Sequence, residues 1–304
     1  MKLSVVIPTH NPRPDFLART LEALRAQSLG TGAWELIIID NASDAPPRAG
    51  LGWHPRARVV SEPRVGLTRA RLRGFAEAAG ELVILVDDDN LLDPGHLAAV
   101  LAIEEAYPFL GTWSGAITLE FEDEASRPPE VYHQFLTTRK VQRALWSNDP
   151  SHNDSTPWGA GLCVRRKVFD AYAGLVASDP RRARLDLQGT TLVYGGDTDI
   201  AYAGCGIGLG KGVFPTLHMR HLIPRRRCEI ANLLKSAEGQ GYSEVLHGYL
   251  MNGTISGPRT DVVGIIGERL RELRAGTDER MIAAAKRRGA ARARAELMSQ
   301  ETSR

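Results

Sequence analysis

The chain is short of cysteine, of surplus charge and of long apolar runs, and each shortage removes a class of explanation. Three cysteines in 304 residues, Cys163, Cys205 and Cys228, are odd in number and widely spaced, so they form neither a disulfide framework nor a CxxC zinc site. A reducing cytoplasm is the expected setting. Lys and Arg total 38 against 36 Asp and Glu, a formal net charge of +2, which is no field for coating nucleic acid or anchoring to an anionic membrane. The N-terminal apolar run stops at Pro8, too early for a secretion signal. The most apolar later stretch, residues 262–266, is far shorter than the roughly 18 residues of a membrane span. A soluble protein is expected. What is present is ordinary globular composition, 43% hydrophobic and 24% charged, in a chain long enough to bury a sizeable core.

From residue 3 to residue 86 short β-branched runs alternate with helical patterns, the signature of βαβ units and a mostly parallel sheet. Strands are predicted at residues 3–8, 34–40, 57–61 and 81–86, each a continuous apolar run suited to a sheet covered on both faces. The first intervening helix opens at Pro14-Asp15, aligns Leu17, Leu21 and Leu24 on one face and stops near Gly30. A second spans residues 67–79, and a third starts at Asp93-Pro94. Further strands are expected at 111–121, 160–165 and 212–217, with a helix from about Asp197. Residues 122–157 read as an insertion with some helix, and everything after His221 as helical. The basic run Lys286-Arg287-Arg288 reads as a solvated face, with a membrane or partner contact as the alternative.

Ligands of an open parallel sheet bind at the carboxyl ends of its strands. Here those ends carry Pro8-Thr9-His10-Asn11, Asp40-Asn41-Ala42-Ser43-Asp44 and Asp87-Asp88-Asp89-Asn90, with Arg69 and Arg71 nearby in a helix, so one polar pocket is outlined. Three adjacent carboxylates repel one another unless something relieves them. A divalent metal with a bound diphosphate does so, because Mg²⁺ uses one or two carboxylates and takes further oxygens from phosphate. The alternative for the triplet is an acidic turn capping the next helix.

Taken in order, Val5-Val6-Ile7-Pro8-Thr9-His10-Asn11, Ile37-Ile38-Ile39-Asp40-Asn41-Ala42-Ser43-Asp44, Gly66-Leu67-Thr68-Arg69-Ala70-Arg71, Asp87-Asp88-Asp89, Gly195-Gly196-Asp197-Thr198-Asp199 and His218-Met219-Arg220-His221-Leu222-Ile223-Pro224 resemble a family 2 glycosyltransferase of the GT-A fold. The resemblance implies an α/β, Rossmann-like catalytic domain over residues 1–225, followed by a C-terminal helical extension over 226–304. It implies that Pro8, Thr9 and Asp40 line the nucleotide base and ribose, that Arg71 lies against base or phosphates, that Asp87 and Asp88 face the ribose, and that Asp89 binds Mn²⁺ or Mg²⁺. His221 is the implied further metal ligand, with His218 or a structural histidine as alternatives. Asp197 stands where the family places its catalytic base, with helix capping as its other reading and Asp199 as the next carboxylate. Gly196 stands where the family usually has Glu, and Leu72 where it often has Asn. Trp113 and Trp158 suit a sugar face or core packing equally.

The activity implied is inverting transfer from a UDP-, GDP- or dTDP-sugar to a glycan or lipid-linked glycan hydroxyl, in bacterial-type surface polysaccharide synthesis. The implied setting is cytoplasmic, with peripheral membrane contact through the basic helices and no nucleic-acid partner. Two rivals stand beside it. A sugar-1-phosphate nucleotidyltransferase needs a Gly-rich N-terminal phosphate loop, which Pro8-Thr9-His10-Asn11-Pro12 is not. A catalytically silent nucleotide-sugar binder or scaffold is suggested by Leu72 and Gly196.

Overall fold

The N-terminal apolar runs become β1 (Leu3–Thr9) and β2 (Trp34–Asp40), each buried at every position. A computed structural model describes residues 2–47, 49–186, 193–255, 257 and 275–302; the apolar stretch 262–266 lies outside them. Between β1 and β2 runs α1 (Pro14–Arg25), which buries Phe16, Leu17, Thr20, Leu21 and Leu24 along one stripe. β3 (Ala57–Ser61), α2 (Leu67–Glu77) and β4 (Leu82–Leu85) complete the first half. The order β3-β2-β1-β4 is parallel throughout, so the carboxyl ends of these strands share one edge.

Beyond the acidic triplet the chain forms β5 (Asn90–Leu92), α3 (His96–Ala106), β6 (Leu110–Phe121), β7 (Leu145–Ser147), β8 (Leu162–Arg165), α4 (Arg166–Ser178), α5 (Gly196–Gly206) and β9 (Gly210–Ile223). This half is mixed: β8 is antiparallel to β4 and β6, β6 is parallel to β9, and β5 and β7 are antiparallel to β9. The mostly parallel sheet expected from the first βαβ units therefore holds for four strands and gives way to alternating directions after β4. β9 continues well past residue 217, because its second part pairs with β5 and β6. Residues 122–157 form short 3-10 turns and β7 rather than a longer helix. Trp113 is wholly buried in the main core among Leu110, Cys163 and Phe214, so it flanks no ligand.

After a 3-10 turn at Arg225–Cys228 the described residues form two long helices, α6 (Ile230–Asn252) and α7 (Thr277–Thr302). They cross backbone against backbone: a Cβ on Gly241 would lie 2.1 Å from the Lys286 carbonyl oxygen, and one on Gly289 would lie 1.8 Å from that of Glu238. Only glycine allows this approach. One face of α7, Ile282, Ala285, Ala293 and Leu297, is buried against α6. The expected solvated face therefore covers only part of this helix, and Arg288 and Arg292 pair with Glu238 on α6 at 3.4 and 3.0 Å. Leu233 and Ala237 of α6 share a cluster with Phe121, Tyr132 and Phe135, which ties the helices to β6 and the turns after it. Among the described residues no helix is long and apolar enough to cross a membrane.

Candidate active site

Because β1, β2 and β4 run parallel, the polar residues that follow them converge on a cavity of about 480 Å³. Pro8, Thr9, Arg71, Asp87, Asp88, Asp89, Asp197 and His221 all line it. Asp40 does not join them. Its Oδ1 accepts the Ser43 N–H at 3.2 Å and closes the turn after β2, and Asn41 lines the cavity instead. The Asn41 amide donates to the Glu62 and Arg64 carbonyls at 3.1 and 2.8 Å and accepts from Gly66 N–H at 2.8 Å. That residue fastens the end of β2 to the loop leading into α2.

The three carboxylates after β4 have distinct environments. Burial and the charge of Asp89 push Asp88 up to about 7, even though the Thr9 hydroxyl donates to it. Burial and Asp89 raise Asp87 as well. For Asp89 burial acts in the same direction, but His221 and Arg227 outweigh it and hold this carboxylate below its ordinary range. His221 Nδ1 lies 2.9 Å from the Leu136 carbonyl oxygen. A carbonyl only accepts, so Nδ1 carries a proton and Nε2 is the nitrogen turned toward Asp89. That Nε2 lies 3.3 Å from Asp89 Oδ2, with Arg227 Nη1 3.1 Å from it. His218 is turned elsewhere, Nδ1 on Asp93 at 2.9 Å and Nε2 on Thr118 at 3.2 Å.

Among the described residues no group of three or more His, Cys, Asp or Glu is gathered for a metal ion. Asp89 and His221 nevertheless fit a divalent cation. One carboxylate and one imidazole with its other nitrogen committed to a carbonyl are a donor set that phosphate oxygens and water complete.

Arg71 differs from expectation. It is buried, and its Nη1 donates to both Asp186 oxygens at 3.0 Å while the Thr68 hydroxyl donates to the same carboxylate at 2.8 Å. Burial disfavours its charge, but Asp186, Asp197 and Asp87 more than restore it. Arg71 thus forms the floor of the cavity with Nη1 already engaged, rather than reaching freely for phosphate. Asp186 was not singled out by any sequence motif. The available signal was Gly196: a Cβ there would stand 2.2 Å from Asp186 Oδ2, so the carboxylate from residue 186 fills the space a side chain at 196 would need.

Gly195, at φ 143°, turns the chain into α5 and is its N-cap. Asp197 follows in the first turn and is not the cap. Its Oδ2 accepts Gly159 N–H at 2.7 Å and its Oδ1 accepts Thr198 N–H at 2.8 Å. Asp199 is wholly buried and paired with Arg182, with burial holding it at about 6 against that pairing. It lines neither cavity and is no substitute for Asp197.

A second cavity, of about 440 Å³, opens on the other side of Asp197 and is lined by Trp158, Tyr202, Gln240 and His247. Asp197 and Tyr194 line both cavities. Tyr194 is fixed to α6 by its N–H on Ser243 Oγ at 2.8 Å and its hydroxyl on Ser236 Oγ at 3.1 Å. Ser236, Gln240, Ser243, Glu244 and His247 repeat every three or four residues along α6. That polar stripe was visible as helical periodicity and marks a helix face that serves a site.

The chain matches the family described as Glycosyl transferase family 2 over residues 4–171. It is 32% identical over 176 residues to the uncharacterized glycosyltransferase YwdF of Bacillus subtilis, covering 56% of this chain and 60% of that protein. It is 34% identical over 103 residues to the succinoglycan biosynthesis protein ExoW of Rhizobium meliloti, 32% of each chain. The chain thus spans less than two thirds of the length of these relatives. The crystal structure of S. aureus TarS 1–349 aligns with 100% of this chain and 92% of its own, at a TM-score of 0.50 and 13% identity, a likeness of fold.

Proposed function

The chain belongs to glycosyl transferase family 2, and on that premise we propose that it transfers a sugar from a nucleoside-diphosphate donor to an acceptor hydroxyl, inverting the anomeric centre. The observation that carries this reading is the position of Asp197, one carboxylate shared between a cation-bearing cavity and an aromatic one. Thr9 and Asp88 face the nucleoside, and Arg226 and Arg227 stand at the diphosphate side of the first cavity. Asp89 and His221 are the residues that would hold Mn²⁺ or Mg²⁺, and the ion would supply neutralisation of charge on the departing diphosphate. Asp197 takes the proton of the acceptor hydroxyl as that oxygen bonds to the anomeric carbon. The bond from that carbon to the phosphate oxygen breaks on the opposite face, and the nucleoside diphosphate leaves with the electron pair. The hydrogen bonds from Gly159 and Thr198 hold the carboxylate in place for this transfer. The likeness to ExoW, a succinoglycan biosynthesis protein, favours a polysaccharide as the product.

The test is a melting-temperature panel of UDP, GDP, dTDP and CDP with Mn²⁺, followed by donor hydrolysis and the anomeric configuration of the product. Selective stabilisation by one diphosphate, metal-dependent turnover and an inverted product are expected. Binding without turnover of any sugar nucleotide would favour a silent binder, and a retained configuration would remove Asp197 from the role of base.

A further inference from the structure

The two cavities that meet at Asp197 differ in charge. The first carries Arg71, Arg226 and Arg227. Among the described residues lining the second there is no Lys or Arg, while Asp197 and Glu244 are both present. Three cations stand behind its walls: Lys286 lies 4.0 Å from Glu244 and 5.8 Å from the Phe135 ring centroid, and Arg139 and Lys211 are turned to other partners. Arg139 lies against the Trp158 ring, 5.0 Å from its centroid, and donates to the Thr156 and Asp154 carbonyls at 2.5 and 2.6 Å. Lys211 lies 5.7 Å from the Tyr202 ring centroid and donates to the His152 carbonyl at 2.6 Å and to Thr156 Oγ1 at 2.8 Å. Among the described residues lining the cavity, a phosphate or carboxylate would meet Asp197 and Glu244, the latter paired with Lys286, and no Lys or Arg on the wall itself, an arrangement that disfavours it.

What the cavity does offer suits an uncharged polyol. Trp158 and Tyr202 contribute aromatic surface to its wall, of the kind that packs against sugar C–H groups. His247, packed against Tyr202, has its Nε2 buried without a hydrogen-bond partner. Burial, then the charge of Arg182, keep its pKa below the ordinary histidine range, so the ring is neutral. A sugar hydroxyl both donates and accepts, and therefore satisfies that nitrogen in either tautomer. The volume, about 440 Å³, lies within the range of small-molecule sites, about 300–1,000 Å³.

We infer that the second cavity binds an uncharged sugar ring, so that the acceptor hydroxyl belongs to a neutral glycan unit and not to a phosphate-bearing carrier. This rests on the reading of Asp197 as the base. Saturation-transfer NMR on the full chain, with and without nucleoside diphosphate and Mn²⁺, tests it using methyl glycosides of glucose, galactose, mannose and N-acetylglucosamine, their 6-phosphates, and a short polyprenyl phosphate. At least one neutral glycoside should bind, with its 6-phosphate at least about tenfold weaker, which is about 1.4 kcal/mol. His247→Ala should weaken the neutral glycoside about tenfold. Gln240→Arg, at a half-buried position on the rim, should improve the phosphorylated probe by a similar factor and so needs no loss of packing to be read.

Equal or tighter binding of a phosphorylated probe, no binding of any neutral glycoside, or binding indifferent to both substitutions overturns the inference. Nucleotide titration reports on the first cavity separately. Neutral glycoside binding without nucleotide binding removes the transferase reading, and with it the acceptor role, and leaves only the neutral-ring specificity of the second cavity standing. Nucleotide binding with only phosphorylated acceptors bound does the reverse.

Discussion

The cavity at the strand ends and the cavity under α6 are built by opposite means. The first takes its polar residues from positions immediately after β1, β2 and β4, where parallel strands deliver them to one edge. The second gathers side chains from Gln134 to His247, from turns, α5 and α6, none of them at the end of a parallel strand. The first cavity is rich in charge of both signs, and the second in rings, hydroxyls and amides. On the proposed reading, fixed charges on a rigid frame would grip a diphosphate and the wall supplied by the helix appended to the sheet would accept a sugar ring.

The hardest test of this division is Asp197→Asn, because Asp197 serves both sides. Transfer should fall by about 10²–10⁴ while nucleoside diphosphate affinity holds. The amide can accept from only one of Gly159 and Thr198, so a stability loss of about 1 kcal/mol should accompany it in urea unfolding. Near wild-type transfer would make Asp197 a structural acceptor only.

Asp186→Asn should act on stability instead. Removing the counter-charge of a buried arginine costs about 3–5 kcal/mol, and the lower end is expected because Asp197 and Asp87 still face Arg71. Denaturant unfolding measures it, and a neutral outcome would mean Arg71 has another partner.

Asp89→Asn should weaken Mn²⁺-dependent nucleotide binding by at least about 10–100-fold and leave glycoside binding in the second cavity alone. An equal loss in both titrations would mean the cavities are not separable.

Gly289→Ala pushes a methyl against the Glu238 carbonyl, and overpacking of this kind costs about 1–3 kcal/mol. The acceptor KM should rise while nucleotide affinity is unchanged, which is how the C-terminal helices are expected to matter. Altered nucleotide affinity in the folded variant would attach α7 to the donor side.

The smallest effect belongs to Asp88. Its carboxyl titrates at about 7 in the folded chain against about 4 when unfolded. The folded state therefore holds the proton more tightly, and ligand-free stability falls as pH rises through this window. Asp88→Asn should raise the melting temperature above pH 7 by about 2–4 °C and make no difference near pH 4. A melting temperature lowered at both pH values would contradict this.

The half of the fold that was legible in the sequence is the half with local signals. β1 and β2 are continuous apolar runs because both sheet faces are covered, and a run that ends in Pro8-Thr9 or Asp40-Asn41 locates the edge. β5 is only three residues long, and the part of β9 past residue 217 forms by pairing with distant strands, so neither of these segments leaves a local trace. Asp40 illustrates a limit of motif position: the residue is where expected, but one of its carboxylate oxygens is engaged by a turn N–H and the neighbouring Asn41 lines the cavity. Asp186 illustrates the other limit, because its partner Arg71 is 115 residues away and only the fold brings them together. His221 was legible, though its choice over His218 depends on which carbonyl and which carboxylate face each ring.

The contact between residue 196 and Asp186 also constrains how this sequence can change over time. A side chain at 196 and the carboxylate of Asp186 compete for one space, since a Cβ at the first lies 2.2 Å from an oxygen of the second and Asp186 would have to shift. Losing Asp186 first strands Arg71, and gaining a side chain at 196 first forces an overlap, so each single step is harmful alone. The pair is therefore epistatic, and a lineage carrying Gly196 with Asp186 is separated by a fitness valley from one carrying its acid at 196. Random substitution at either position in a functional selection should recover few variants, whereas joint randomisation should recover acid at one position with a small residue at the other.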